Sequence, residues 1–200
     1  VELMIAAIIQ AREGSSRLPL KILKKISNKS IIQIIHQRLK ISKKLNSIYF
    51  AIPKKNKILK SHLLINKYNF FIGSEKNVLE RYYFCAKKIK AKTIVRITSD
   101  CPFVDGKMLD RMLEVFYKKK LDYISNGLNP YFPDGMDIEI FTFDALKTAY
   151  EKSKKKKELE HVTFYISENP KKFKIHSYKD KKFKNNSNIR LTLDNEYDFD

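Results

Sequence analysis

Cysteine is scarce in this 200-residue chain, which has only Cys85 and Cys101 and no C-x-x-C pair. A disulfide framework and a zinc site are both disfavoured, and the four histidines lack the spacing of metal ligands. No apolar run approaches the roughly 20 residues of a membrane span, and the first nine residues lack the features of a secretory signal. We therefore expect a cytoplasmic protein with no membrane partner.

Arginine is also rare, although the formal net charge is +19. Only seven of the 41 basic residues are arginine, and the lysines are spread along amphipathic segments that are typical of solvated faces. Nucleic-acid binding is therefore not favoured by charge alone. Positions that need a planar, bidentate cation would keep arginine. We interpret five arginines as such positions: Arg12, Arg17, Arg81, Arg96 and Arg190.

Apolar periodicity predicts alternating strands and helices in the first part of the chain. Strands are predicted at 3–11, 47–52, 69–72, 93–98 and 122–125, and helices at 30–43, 56–67, 78–90 and 105–119. Further strands follow at 137–143, 173–178 and 189–193, with helices at 144–153 and 159–168. This order predicts one α/β domain over residues 1–200, with a mostly parallel sheet sandwiched by helices and an inserted excursion at 127–188.

The first predicted strand runs into a loop, from Arg12 to Lys21, that is rich in cationic and hydroxyl side chains. Such a loop at the edge of a sheet is suited to phosphate, and Gly14 lets the backbone approach a ligand closely. The loop is neither a Walker motif nor a Rossmann fingerprint, because the glycines those patterns require are missing. A basic surface turn is the alternative interpretation.

Two aspartates follow predicted strands and are candidates for Mg²⁺. Asp100 comes after the strand at 93–98, and Asp194 comes after the strand at 189–193. Ligands of open α/β sheets collect at the carboxyl ends of strands, and Mg²⁺ prefers oxygen ligands. Each aspartate could instead cap the turn or helix that follows it.

The acidic segment after Gly135 is a candidate binding site for sugar hydroxyls. Asp137 and Glu139 lie on one face of the predicted strand at 137–143. A solvent-facing strand edge is the alternative. His161 could line the same candidate sugar site, or it could lie on the surface of a helix without a binding role.

Six sequence segments, in this order, resemble the cytidylyltransferase family that includes spore-coat polysaccharide biosynthesis proteins and is related to the CMP-Kdo and CMP-sialate synthetases. They are Ile9–Lys21, Gly73–Glu75 with Val78–Tyr82, Val95–Pro102, Asp122–Asn126 with Phe132–Phe141, Glu160–Thr163, and Arg190–Asp194. The resemblance implies a Rossmann-like nucleotide-diphospho-sugar transferase fold. It also implies an Mg²⁺-dependent reaction of CTP with an acidic or unusual sugar, which gives a CMP-sugar and pyrophosphate.

The resemblance also implies roles for individual residues. Arg12, Lys21 and Asp100 would be catalytic, and Asp100 and Asp194 would hold Mg²⁺. Nucleotide binding would involve Gln10, Ala11, Arg12, Gly14, Ser15, Ser16, Arg17, Lys21, Gly73, Ser74 and Arg96. The acceptor sugar would be faced by Asn126, Asp137, Glu139 and His161.

Two residues depart from the family pattern, since Leu20 and Ser99 stand where glycine is common. A non-catalytic homologue, a sugar-1-phosphate nucleotidyltransferase that uses another NTP, and a basic nucleic-acid-binding protein are the competing hypotheses. Related synthetases are commonly dimers, so a homodimer is expected, with the segment at 127–188 serving the acceptor or the dimer contact. Family members usually continue further, so we expect a C-terminal segment to be missing.

Overall fold

A computed structural model describes residues 3–14, 18–180 and 184–199. The strands are β1 (Ile5–Gln10), β2 (Lys25–Ile26), β3 (Lys29–Ser30), β4 (Ser47–Pro53), β5 (Phe70–Gly73), β6 (Thr93–Thr98), β7 (Tyr123–Ser125), β8 (Glu139–Thr142) and β9 (Ile175–Ser177). The helices are α1 (Ile31–Leu39), α2 (Lys57–Ile65), α3 (Val78–Lys88), α4 (Gly106–Lys118), α5 (Phe143–Lys152), α6 (Lys156–Glu160) and α7 (Phe164–Ser167). Two 3₁₀ turns cover Lys21–Leu23 and Glu196–Phe199.

Seven strands form the central sheet in the order β5-β4-β1-β6-β8-β7-β9. All adjacent pairs are parallel except those of β8, which runs antiparallel to both β6 and β7. β2 and β3 form a separate small hairpin. The predicted fold, a mostly parallel sheet with helices, is therefore confirmed. Because β1 and β6 are parallel neighbours, the loops that follow them emerge at the same edge of the sheet.

Both faces of the sheet are covered by helices. Ile5, Ala7 and Ile9 of β1 join the core beneath α1, α2 and α4, whereas Ala6 and Ile8 join the core beneath α3, α5 and α7. This two-sided burial explains why β1 is a continuous aliphatic run rather than an alternating one. The buried run fixes the direction in which the following loop leaves the sheet.

Side-chain caps set the starts of the helices next to the site. Asp105 caps α4 by accepting hydrogen bonds from the backbone N–H of Lys107 and Met108. Asn77 caps α3 by accepting from the N–H of Glu80. Each cap satisfies a donor that the first turn leaves free. Among the described residues, the helices include none with the length and apolarity that crossing a bilayer requires.

Two predicted elements differ from the structure. The helix predicted at 159–168 is broken into α6 and α7, because His161 takes extended backbone angles. The strand predicted at 189–193 is wrong, since that segment forms only an isolated bridge between Arg190 and Asp134. Its backbone groups bond instead to loops, as when Leu193 N–H donates to Asp100 O at 3.1 Å.

The segment at 127–188 contributes to the main sheet as well as to the surface. Strands β8 and β9 both belong to the seven-stranded sheet, and α5 packs on one of its faces. The proposed acceptor or dimer role of this segment stays a prediction.

Candidate active site

Three charged side chains from distant parts of the chain meet at the carboxyl ends of β1 and β6. Lys21 Nζ lies 3.5 Å from Asp100 Oδ2 and 3.0 Å from Asp194 Oδ1. Asp100 follows β6, whereas Asp194 is brought there by the backbone bond between Leu193 and Asp100. The two predicted metal-binding carboxylates are therefore adjacent, with a lysine between them.

Burial and hydrogen bonding act in opposite directions on Asp100. Burial opposes ionisation, but the hydrogen bond from Thr98 and the charge of Lys21 outweigh it and lower the pKa of Asp100. The carboxylate is consequently charged at neutral pH, which is the form that binds a metal ion.

Leu20 holds the backbone just before the lysine in an unusual conformation. Its φ is 53° and its ψ is 25°, which is the left-handed region that favours glycine. Its N–H donates to Glu13 O at 3.2 Å, closing the loop. Glycine takes this conformation without steric strain, which agrees with the glycine that the resemblance implies here, whereas this chain has leucine in the left-handed region.

A cavity of about 260 Å³, the central cavity, surrounds this charged group. It is lined by many of the residues predicted for the nucleotide, the metal and the acceptor: Gln10, Ala11, Arg12, Gly14, Lys21, Asp100, Asp194 and His161. Ser15, Ser16 and Arg17, also predicted to bind nucleotide, lie outside the described residues. Ser99 lines the central cavity as well.

A second cavity of about 410 Å³, the β8 cavity, adjoins the first. Thr98 and His161 line both cavities, so the two spaces meet there. Asp137 and Glu139, predicted to face an acceptor, line the β8 cavity, and so does Arg96, which was predicted for the nucleotide. The predicted nucleotide and acceptor groups are therefore neighbours.

Arg96 and Glu139 form an ion pair in the wall of the β8 cavity, each with a side chain only 13% exposed. Glu139 also accepts hydrogen bonds from Tyr123 at 2.6 Å and Thr163 at 2.5 Å, and Arg96 donates to Gln10 at 3.0 Å. Burial would raise the pKa of Glu139, but the charge of Arg96 and these bonds lower it. The pair is thus a rigid, charged wall that joins β1, β6 and β8.

Asn126 and Asp137 have different surroundings although both were predicted to face the acceptor. Asn126 is 2% exposed, and its amide donates to Met136 O at 2.9 Å and accepts from Ile138 N–H at 2.8 Å. It therefore clamps the backbone on either side of Asp137. Burial, followed by the charges of Asp134 and Glu139, raises the pKa of Asp137 to about 6.

A third cavity of about 500 Å³, the β5 cavity, lies at the end of β5. It contains Gly73 and Ser74, predicted for the nucleotide, and the rings of Phe71 and Phe84. It shares Glu75 and Arg81 with the central cavity. The sequence marked Arg81 as an arginine position without a binding role, and it gave Lys157, which lines the β8 cavity, no role beyond that of the other lysines on solvated faces. Only the tertiary structure shows that Arg81 and Lys157 line the cavities of the site.

A family model for cytidylyltransferases matches residues 6–200 of the chain. The chain belongs to the cytidylyltransferase family. The resemblance inferred from its motifs is thereby confirmed.

Relatives of known sequence support the same family. The spore coat polysaccharide biosynthesis protein SpsF of Bacillus subtilis is 30% identical over 208 residues, which cover 98% of this chain and 83% of that protein. An uncharacterised protein of Methanocaldococcus jannaschii is 41% identical over 197 residues, covering 98% and 80% respectively.

Solved structures agree with the fold of this cytidylyltransferase. A cytidylyltransferase from Leptospira borgpetersenii has a TM-score of 0.92 and 33% identity, covering 98% of this chain and 84% of that one. A CMP:2-keto-3-deoxy-manno-octonic acid synthetase complexed with CTP has a TM-score of 0.74 and 14% identity, covering 97% and 94%. The second likeness shows a shared fold.

Proposed function

We propose that this cytidylyltransferase joins CTP to an acidic or unusual sugar, giving a CMP-sugar and pyrophosphate for surface polysaccharide biosynthesis. The observation that carries the proposal is the contact of Lys21 with Asp100 and Asp194 in a cavity that shares lining residues with two others. Family membership supports the reaction class, and the name of the Bacillus relative supports a purpose in polysaccharide biosynthesis.

The three cavities correspond to the three parts of such a reaction. In this proposal the central cavity takes the triphosphate, the β5 cavity takes the nucleoside beside Gly73 and Ser74, and the β8 cavity takes the sugar. His161, at the junction of the central and β8 cavities, would stand next to the reacting atoms.

The chemical step is an in-line displacement at the α-phosphorus. A sugar oxygen forms the new P–O bond while the bond to the bridging oxygen of pyrophosphate breaks, and the hydroxyl proton passes to water. Arg12 and Lys21 stabilise the charge that develops on the leaving pyrophosphate. Because Lys21 is already held by Asp100 and Asp194, it needs little reorganisation as that charge appears.

The donor set around Lys21 fits Mg²⁺. Among the described residues of the central cavity, the acidic side chains Glu75, Asp100, Glu160 and Asp194 outnumber the cations Arg12, Lys21 and Arg81. A bound triphosphate would thus need a further positive charge. Among the described residues, no group of three or more histidine, cysteine, aspartate or glutamate side chains is placed to hold a metal ion by itself. Two carboxylates plus phosphate oxygens and water are what Mg²⁺ typically accepts.

We therefore propose that Asp100 and Asp194 would hold Mg²⁺, which when bound supplies positive charge to the phosphate oxygens. Lys21 would keep both carboxylates oriented before the nucleotide arrives. A homodimer and a cytoplasmic location complete the proposal. Light scattering during gel filtration measures the molar mass in solution and so tests whether the protein is a homodimer.

The direct test is pyrophosphate release from CTP and Mg²⁺ against a panel of ulosonic acids and sugar phosphates. Release that depends on both CTP and one acceptor class supports the proposal. Thermal shifts with the four NTPs separate the nearest competitor, since a preference for another NTP would favour a sugar-1-phosphate nucleotidyltransferase. Salt-dependent nucleic-acid binding without any pyrophosphate release would contradict the enzyme hypothesis.

A further inference from the structure

Arg81, on α3, is a buried cation in the wall between the central and β5 cavities. The residue is only 3% exposed. Its Nη1 donates to Ser74 O at 2.5 Å, whereas its buried Nε has no hydrogen-bond partner in the described part of the chain. A guanidinium with unused donors therefore lines both spaces assigned to the nucleotide.

The loop between β5 and α3 is shaped around this arginine. A Cβ on Gly73 would lie 2.8 Å from Arg81 Cγ and 3.1 Å from the ring of Phe71, so a larger residue would collide with the arginine stem. Ser74 offers its carbonyl to the guanidinium and its hydroxyl to the N–H of Asn77 at 3.1 Å. The Arg81 side chain is consequently held in one place rather than free to reach solvent.

Within the part of the chain that the structure describes, the charge of Arg81 has no ion-pair partner. No carboxylate lies within 4.0 Å of it among residues 3–14, 18–180 and 184–199, although Glu75 is near enough to favour its charge. Burial lowers the pKa of Arg81, and the nearby Arg12 lowers it further. A buried cation in this position is unfavourable unless an anion pairs with it.

We propose that Arg81 is a nucleotide-positioning residue that binds the phosphate group next to the nucleoside. This inference rests on the proposed function. A phosphate is favoured over a neutral base because two arginines, Arg12 and Arg81, repel each other there until an anion separates them. The boundary between the cavities is where the first phosphate of a nucleotide would lie if the nucleoside occupied the β5 cavity.

A purely structural role for Arg81 makes a different prediction. If its main task were to hold the carbonyl of Ser74, then Arg81→Met would destabilise the protein. If its charge awaits a ligand, Arg81→Met removes an unpaired buried cation while keeping an apolar stem, and the free protein should be as stable or more stable.

The experiment compares wild type, Arg81→Met and Arg81→Lys by calorimetric titration and thermal unfolding, with CTP plus Mg²⁺, CMP and cytidine as probes. For Arg81→Met we expect an unchanged or higher Tm without nucleotide, CTP and CMP binding about 10- to 100-fold weaker, and unchanged cytidine binding. Arg81→Lys keeps the charge and should fall between wild type and Arg81→Met.

Arg38→Met is the matched control, because Arg38 also donates to backbone carbonyls, those of Phe103 and Val104, but does not line the described cavities of the site. It should lower the Tm and leave CTP binding unchanged. Two results would overturn this inference and leave the proposed function standing. One is CTP binding that survives in Arg81→Met, and the other is a loss of cytidine binding as large as the loss of CMP binding.

If Arg81→Met does not fold, Arg81→Lys decides. A folded Arg81→Lys variant with weakened CTP and CMP binding supports the inference, and one that binds both like wild type overturns it. Wild-type protein that binds no CTP overturns the proposed function and this inference with it.

Discussion

Replacing Asp100 with asparagine separates the chemistry of the charged group from its contribution to stability. The substitution keeps the shape of the side chain and removes one of the two carboxylates that contact Lys21, the one at 3.5 Å. Lys21 keeps its closer contact, at 3.0 Å, with Asp194. The variant therefore loses a charge without leaving the lysine unpaired.

The structure sets the size of the stability change. Coulomb attraction at this distance has a ceiling of about 4–5 kcal/mol in a partly screened site. The Asp100 side chain is 33% exposed, however, and solvent screening and desolvation reduce the net contribution of such a pair to about 1 kcal/mol. For a chain of this length that corresponds to a fall in Tm of about 2–4 °C.

The expected effect on catalysis is much larger. Loss of one preorganised electrostatic group typically reduces the rate about 100- to 1,000-fold. A protein destabilised by about 1 kcal/mol remains folded at 25 °C, so unfolding cannot account for such a loss. The activity and the Tm should consequently change by very different amounts.

The assay is pyrophosphate release at saturating CTP, Mg²⁺ and acceptor, together with thermal unfolding of the same samples. Asp110→Asn is the matched control, since the Asp110 carboxylate accepts from Ser42 and from backbone N–H groups away from the site. It should change stability and leave turnover intact. Wild-type turnover in Asp100→Asn would refute the assigned role of Asp100.

Three further substitutions test other parts of the structure. Burial holds the pKa of Asp137 at about 6, above its unfolded value, so wild type should lose stability as the pH rises from about 4 to 6. Asp137→Asn should match wild type below pH 4 and exceed it at pH 7 by on the order of 1–2 kcal/mol in thermal unfolding. Glu139→Gln leaves Arg96 buried without its counter-charge and should lower the free energy of unfolding in urea by about 3–5 kcal/mol. Leu20→Gly relieves the left-handed backbone and should raise that free energy by up to about 1 kcal/mol.

A contradicting outcome or a control variant accompanies each of these predictions. No gain for Asp137→Asn at pH 7 would contradict the burial of that carboxyl group. The double variant Glu139→Leu with Arg96→Met should recover most of the stability lost in Glu139→Gln, because no lone charge then remains. Lys67→Gly, at another left-handed position with φ of 55°, should stabilise like Leu20→Gly without affecting activity. A destabilised Leu20→Gly variant would show that leucine contacts outweigh backbone strain.

Local patterns in the sequence determined most of the fold. The aliphatic run of β1 and the periodicity of α1 to α5 depend on neighbours a few residues apart, which a sequence displays directly. Parallel strands end at a common edge, and this rule alone predicts that the loop holding Lys21 lies near Asp100. The left-handed turn at Leu20 was marked only as a departure from glycine, since a backbone angle is not visible in a residue name.

The tertiary structure alone decided how the distant groups pair. Asp194 reaches Lys21 across 173 residues through a loop contact, although the strand predicted to deliver it does not form. Arg96 and Glu139 were predicted for different ligands, but they bind each other because β6 and β8 place them opposite one another. Arg81 became a candidate only through its burial between two cavities. Such contacts depend on packing between distant segments, and that packing leaves no local signal in the sequence.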